Sequence, residues 1–148
     1  ILMVVGVVLV VVFFILFLRS RSVQQNMTDQ TLVRSSYVYA DGAANIYTLD
    51  QVTMTIEYDP VTPEESSTGL YSGGEYIKKE ITFGQYDSVA ALFEQASLNQ
   101  AAHIADRIKG SGAVTITGDL QTSEFILGQN TREKAEIEKT LKALVGNQ

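Results

Sequence analysis

The chain has no cysteine, no tryptophan, a single histidine and only two prolines in 148 residues. Without cysteine there is neither a disulfide framework nor thiolate chemistry. One histidine and no cysteine leave too few ligands for a zinc or haem site. Basic residues are scarce as well: Lys and Arg number 11 against 17 Asp and Glu, and with Arg19 and Arg21 set aside nine bases face seventeen acids. No cluster of Lys and Arg interleaved with aromatics is available to neutralise phosphates, which excludes nucleic acid as a partner.

What the chain does have is an uninterrupted apolar run. Residues 1 to 18 contain no charged or hydrogen-bonding side chain, and the first charge is Arg19. At about 1.5 Å of rise per residue a helix of that length spans roughly 27 Å, close to the ~30 Å hydrocarbon core of a bilayer. A cleaved signal peptide needs a basic leader, a shorter apolar stretch and a small-residue cleavage site, none of which is present. A buried core helix would need apolar neighbours all round, more than a small domain supplies. The expectation is a single-pass membrane helix over 1–19, with Val4, Val8, Val12, Phe14, Ile15 and Phe17 facing lipid or neighbouring helices. Arg19 and Arg21 serve as headgroup anchors. Gly6 is the run's only small residue, so no Gly-x-x-x-Gly pair supports close backbone approach.

Residues 20–35 are polar with loosely spaced Val23, Met27 and Val33, a helical extension or tether. Residues 36–148 form the head. Taken alone, the arginines after the apolar run favour a cytoplasmic head; the Thr-, Ser-, Gly- and Gln-rich, cysteine-free remainder favours an extracytoplasmic one, which is the reading adopted.

Within the head, a short strand is expected over 36–40. Val52, Met54, Ile56 and Tyr58 alternate with polar residues as in a half-buried strand, and a further strand runs from Tyr76 to Thr82. Between them, residues 59–75 hold both prolines, three glycines, Leu70 and Tyr71. A loop of this length in a small domain is functional or unstructured. With Tyr76 at its end, it is the candidate partner-binding loop, expected to order only on a partner.

Thr82 and Gln85 have capping-box spacing, and Tyr86, Val89, Ala90, Phe93 and Ala96 follow with helical period. The pattern continues through Ile104 and Ile108 to Gly110, with a break near residues 97–99. Val114 and Ile116, then Phe125 and Leu127, mark a hairpin turning at 118–122. Asn130 and Glu133 repeat the capping spacing before a helix with Ile137, Leu141 and Leu144 as its apolar stripe, Glu138 and Lys142 as an i,i+4 pair, and Gly146 as its stop. The expected architecture is α+β: a small antiparallel sheet with two helices packed on one face, in the order ββαββα.

The inventory of chemistry is thin. His103, with Asp106 and Arg107 following on an expected helix, permits an imidazole oriented by a carboxylate, but no nucleophile accompanies it and it reads as a surface or interface histidine. Glu57, Asp59, Glu64 and Glu65 gather carboxylates without calcium-loop spacing, and Gly69, Gly73 and Gly74 fit no phosphate cradle. No catalytic residue, cofactor or metal is expected, so the chain reads as a non-enzyme. Its partners are the lipid bilayer and other protein subunits, in a homo- or hetero-oligomeric assembly.

An apolar N-terminal helix joined to a small α+β head resembles the overall plan of type IV pilins, whose mature chains begin with such a helix after leader removal. Ile1 suits a chain processed in that way. The resemblance implies a filament subunit with residues 1–18 in the fibre core. Bacterial members carry Glu at the fifth mature position, where this chain has Val5, and many have a C-terminal cysteine pair that it lacks.

Overall fold

The computed structural model describes residues 35–146. The expected membrane helix over 1–19, with Val4, Val8, Val12, Phe14, Ile15, Phe17, Arg19 and Arg21, and the tether up to residue 34 lie outside the described residues. Among the described residues no helix is long and apolar enough to cross a membrane.

The elements in chain order are β1 (Ser36–Ala40), β2 (Ile46–Asp50), β3 (Thr55–Asp59), β4 (Ile77–Glu80), α1 (Phe83–Leu98), β5 (His103–Ile104), β6 (Gly112–Thr117), β7 (Thr122–Leu127) and α2 (Arg132–Val145). The strands make one seven-stranded sheet ordered β4-β3-β2-β1-β6-β7-β5, and every pairing is antiparallel. The α+β class is as expected, but the order ββαββα is not. Four strands precede α1 and three stand between the helices.

Two strands account for most of the difference. β2 was not anticipated; Tyr47 and Leu49 alternate with polar residues over only five positions, and the strand gains its pairing by lying between β1 and β3. β5 replaces the expected continuation of α1. The helix ends at Leu98, where the Asn99 amide is shared between the Gln95 and Ala96 carbonyls at 3.3 Å each. The chain then makes a 3₁₀ turn over Gln100–Ala102 and pairs His103 and Ile104 with Leu127 and Ile126 of β7. Open edge groups of β7 are thereby satisfied, an outcome that helical propensity cannot foresee. The expected strand through Val52 and Met54 is also shorter. Both residues sit in the turn before β3, Met54 with φ of 50°, and Val52 is exposed.

Both helices pack on one face of the sheet. Tyr37 and Tyr39 of β1, Tyr47 and Leu49 of β2, Ile56 and Tyr58 of β3 and Val114 of β6 point to it. α1 meets them with Tyr86, Val89, Phe93 and Ala96, and α2 with Ile137, Leu141 and Val145. The Tyr37 ring lies 5.2 Å from that of Phe93 at 22°. The Tyr39 hydroxyl donates to Glu138 at 2.8 Å, and Lys134 pairs with the same carboxylate at 2.9 Å. Gly112 is dictated by this packing, because a Cβ there would run into the Tyr39 ring and hydroxyl. The α1 capping box forms as expected, with Gln85 N donating to Thr82 Oγ1 and Thr82 N to Gln85 Oε1. At α2 the cap is Thr131, whose hydroxyl donates to Gly128 O rather than serving a helix amide. The ion pairs along α2 are Arg132–Glu136 and Lys134–Glu138, in place of the expected Glu138–Lys142.

Candidate functional site

The end of the sheet at which β1 finishes carries the long loop. Ala40 is paired with Ile46 and Ile46 with Asp59, so the β1–β2 turn and the 60–76 loop emerge side by side. The turn is built around Asp41. Its Oδ1 accepts from Ala43 N and Asn45 N, and its Oδ2 from Asn45 Nδ2, all at 2.9 Å. Its carbonyl accepts from Arg107 Nη2 at 2.8 Å, which ties the turn to the segment before β6. A carboxylate occupied by three donors is a structural group and is poorly placed to move protons.

Asn45 is the joint between turn and loop. Its amide group donates both to Asp41 and to the Tyr71 hydroxyl, the latter at 3.0 Å, while its Oδ1 accepts from Val61 N at 3.0 Å. Gly73 N donates to Val61 O at 2.9 Å, and the Tyr58 hydroxyl donates to Gly73 O at 2.6 Å. Gly73 is obligatory here, since a Cβ would collide with the Asn45 side-chain oxygen. The loop expected to order only on a partner is thus fastened to its own domain at Val61, Tyr71 and Gly73. Leu70 remains 87 % exposed, and Tyr76 is also exposed.

Beneath the loop lies a cleft of about 300 Å³ lined by Tyr47, Tyr58 and Tyr71, with Asp41, Asn45 and Lys142 as its polar groups. The Tyr47 and Tyr58 rings are 4.7 Å apart and tilted by 40°. Burial raises the pKa of Tyr47 and of Tyr58 above the ordinary phenol value. Both therefore stay neutral at physiological pH and offer aromatic surface and hydroxyl groups, not a nucleophile or base. Aromatic walls with a few polar groups suit the binding of a side chain or short segment of a partner.

The other residues singled out from the sequence do not join this cleft. His103 stands in β5, its ring 4.5 Å from Phe125 and its Nε2 2.9 Å from Ala96 O. No helix sets it beside Asp106, and Arg107 is engaged with Asp41. Glu57 pairs with Lys78 at 3.0 Å across β3 and β4. Glu65 accepts from Thr62 N and Oγ1, which holds its carboxyl below the usual range. Among the described residues no group of three or more His, Asp or Glu is arranged to hold a metal ion.

Asp41, Asn45 and Tyr47 were not anticipated. Asp41-Gly42 is a recognisable turn signal, and Tyr47 shares its period with Leu49, but nothing local marks Asn45 as the residue that fastens a loop beginning fifteen positions later. Compared with models of known protein families, with characterised proteins and with solved structures, the chain matches none.

Proposed function

We propose that this chain is a single-pass, membrane-anchored structural or accessory subunit whose head, on the extracytoplasmic side, works by protein–protein contact within a larger assembly. One observation carries the reading. Residue 35 enters at the start of β1, whereas the loop and its tyrosine cleft stand at the finish of β1. With about 3.4 Å of rise per residue, a five-residue strand separates the two ends by roughly 15 Å. A loop at the end of the sheet opposite residue 35 is free to meet a partner while the chain is held at the membrane.

The assembly is tested by replacing Leu70, which is too exposed to contribute to folding. In mild detergent the wild-type chain should be recovered in a multi-protein complex. Leu70→Ser should weaken that complex while leaving the thermal unfolding of the head unchanged. A wild-type chain recovered as a free monomer would overturn the reading. The anchor is tested at Val10, near the middle of the apolar run. An arginine there costs about 2.5–3.5 kcal/mol on insertion scales, so Val10→Arg should release the chain from membranes. Unchanged membrane association would count against a spanning segment.

The joining of one apolar N-terminal segment to a single α+β head also favours a second reading, a pilin-like subunit with residues 1–18 in a fibre core. It differs in its product: material sheared from cell surfaces should contain filaments bearing this chain.

A further inference from the structure

The end of the sheet at which residue 35 enters has a composition of its own. Ser36 is level with Asp50, Asp50 with Thr55 and Thr55 with Glu80 on one side; Ser36 is level with Thr117 and Thr117 with Thr122 on the other. The β2–β3 turn, the β6–β7 turn and the start of α1 therefore share this end. Each presents an apolar side chain to solvent: Val52 at 65 %, Leu120 at 98 % and Phe83 at 65 % exposure. Turn tips ordinarily carry Gly, Asn, Asp or Ser, and a leucine that touches almost nothing does no work in folding.

The geometry of this end is fixed. Ser35 N donates to Gln51 Oε1 at 3.0 Å, beside Val52, and the Tyr86 hydroxyl, one turn beyond Phe83, donates to Ser35 O at 2.9 Å. Asp50 accepts from Thr53 N at 2.7 Å and stiffens the Val52 turn. In the strand order the two turns lie one and a half strand spacings from β1 on opposite sides, about 7 Å each. Val52 and Leu120 thus flank the start of β1.

What precedes residue 35 indicates the occupant. Eighteen wholly apolar residues lead the chain, and the sixteen between them and residue 35 hold the end of that segment within about 55 Å of the head even when fully extended. Near the tips acids outnumber bases, with Asp50, Glu80, Asp87 and Asp119 against Lys79 and Lys78, the latter in electrostatic reach of Asp50, which disfavours an anionic surface. We propose that this end of the head is a lipid-contacting rim, in which Val52, Phe83 and Leu120 enter the interfacial layer of a zwitterionic bilayer. The proposal rests on the membrane-anchored reading above.

The absence of tryptophan makes the test direct, since one introduced indole reports alone. The full chain carrying Leu120→Trp is reconstituted into phosphatidylcholine vesicles with and without brominated acyl chains. Leu70→Trp is the control at the opposite end, and Val52→Trp repeats the measurement on the other side of β1. The rim requires that Trp at 120 and at 52 emit at shorter wavelength in vesicles and lose most of their emission to the brominated lipid, while Trp at 70 stays water-like and unquenched. Vesicle-bound protein with water-like, unquenched emission at 120 and 52 would overturn the rim and leave the anchor standing. A blue shift without bromine quenching would show the tips covered by protein, a second copy included, and would equally overturn it. Failure of the chain to float with vesicles would remove the anchored reading and the rim with it.

Discussion

Asn45 concentrates more of the loop end than any neighbour, because both ends of its buried amide are spent on partners, of which Asp41 is buried, Val61 half-buried and Tyr71 exposed. Truncating it would leave the Asp41 carboxylate short of a donor, the Val61 amide short of an acceptor and the Tyr71 hydroxyl detached. An unsatisfied buried group costs about 1–3 kcal/mol, and Asp41 is the buried one of the three partners, so Asn45→Ala should lower stability by about 1–3 kcal/mol. The melting temperature should fall accordingly, and limited proteolysis should cut within 60–76 before the rest of the head opens. The tyrosines make a second prediction. Burial, as the main cause, pushes Tyr86 up to about 12 and also raises Tyr37, Tyr39 and Tyr47 from the ordinary value of 10.0. Below pH ~10 folded and unfolded chains hold the same phenol protons and stability is fully present. Above it the unfolded chain ionises first, so stability should fall by about 1.4 kcal/mol per pH unit for each such tyrosine. Circular dichroism between pH 9 and 12, an interval drawn on the roughly 10-to-12 shift of Tyr86, should show this loss, with a shallower slope in Tyr47→Phe.

At the scale of elements, the two helix starts contrast. Thr82 and Gln85 exchange hydrogen bonds and satisfy backbone amides of α1, so Thr82→Ala should cost about 1 kcal/mol in denaturant unfolding. Thr131 occupies the same position at α2 but turns its hydroxyl back to Gly128, and Thr131→Ala should cost less. The same capping spacing therefore made a reciprocal cap at Thr82–Gln85 and none at Asn130–Glu133, where the helix is capped one residue later by Thr131. At Asn130 to Glu133 the Glu133 carboxylate accepts instead from Asn99 Nδ2 at 2.7 Å, linking the helices. The C-terminal stop of α2 needed no such context, because Gly146 adopts φ of 99°, a conformation glycine takes without penalty.

At the scale of the whole head, β1 lies at the centre of the sheet and runs between two ends of different character. The chain enters at one, among Val52, Phe83 and Leu120, and the fastened loop with its tyrosine cleft closes the other. Helix α1 was legible from cap to core face, as were the 112–127 hairpin and the stripe of α2, because each is written in local period and capping residues. The sequence by itself also determined the absence of thiol chemistry, the acid excess and the apolar run. Only the tertiary structure decided that β2 and β5 are strands, since so short a strand acquires its hydrogen bonds from neighbours distant along the chain. It alone decided that the loop is pinned by Asn45 and that three isolated apolar tips stand together at one end. Periodicity records which face of an element is buried, whereas a shared end of a sheet is fixed by strand order and register, and neither is encoded within any single segment.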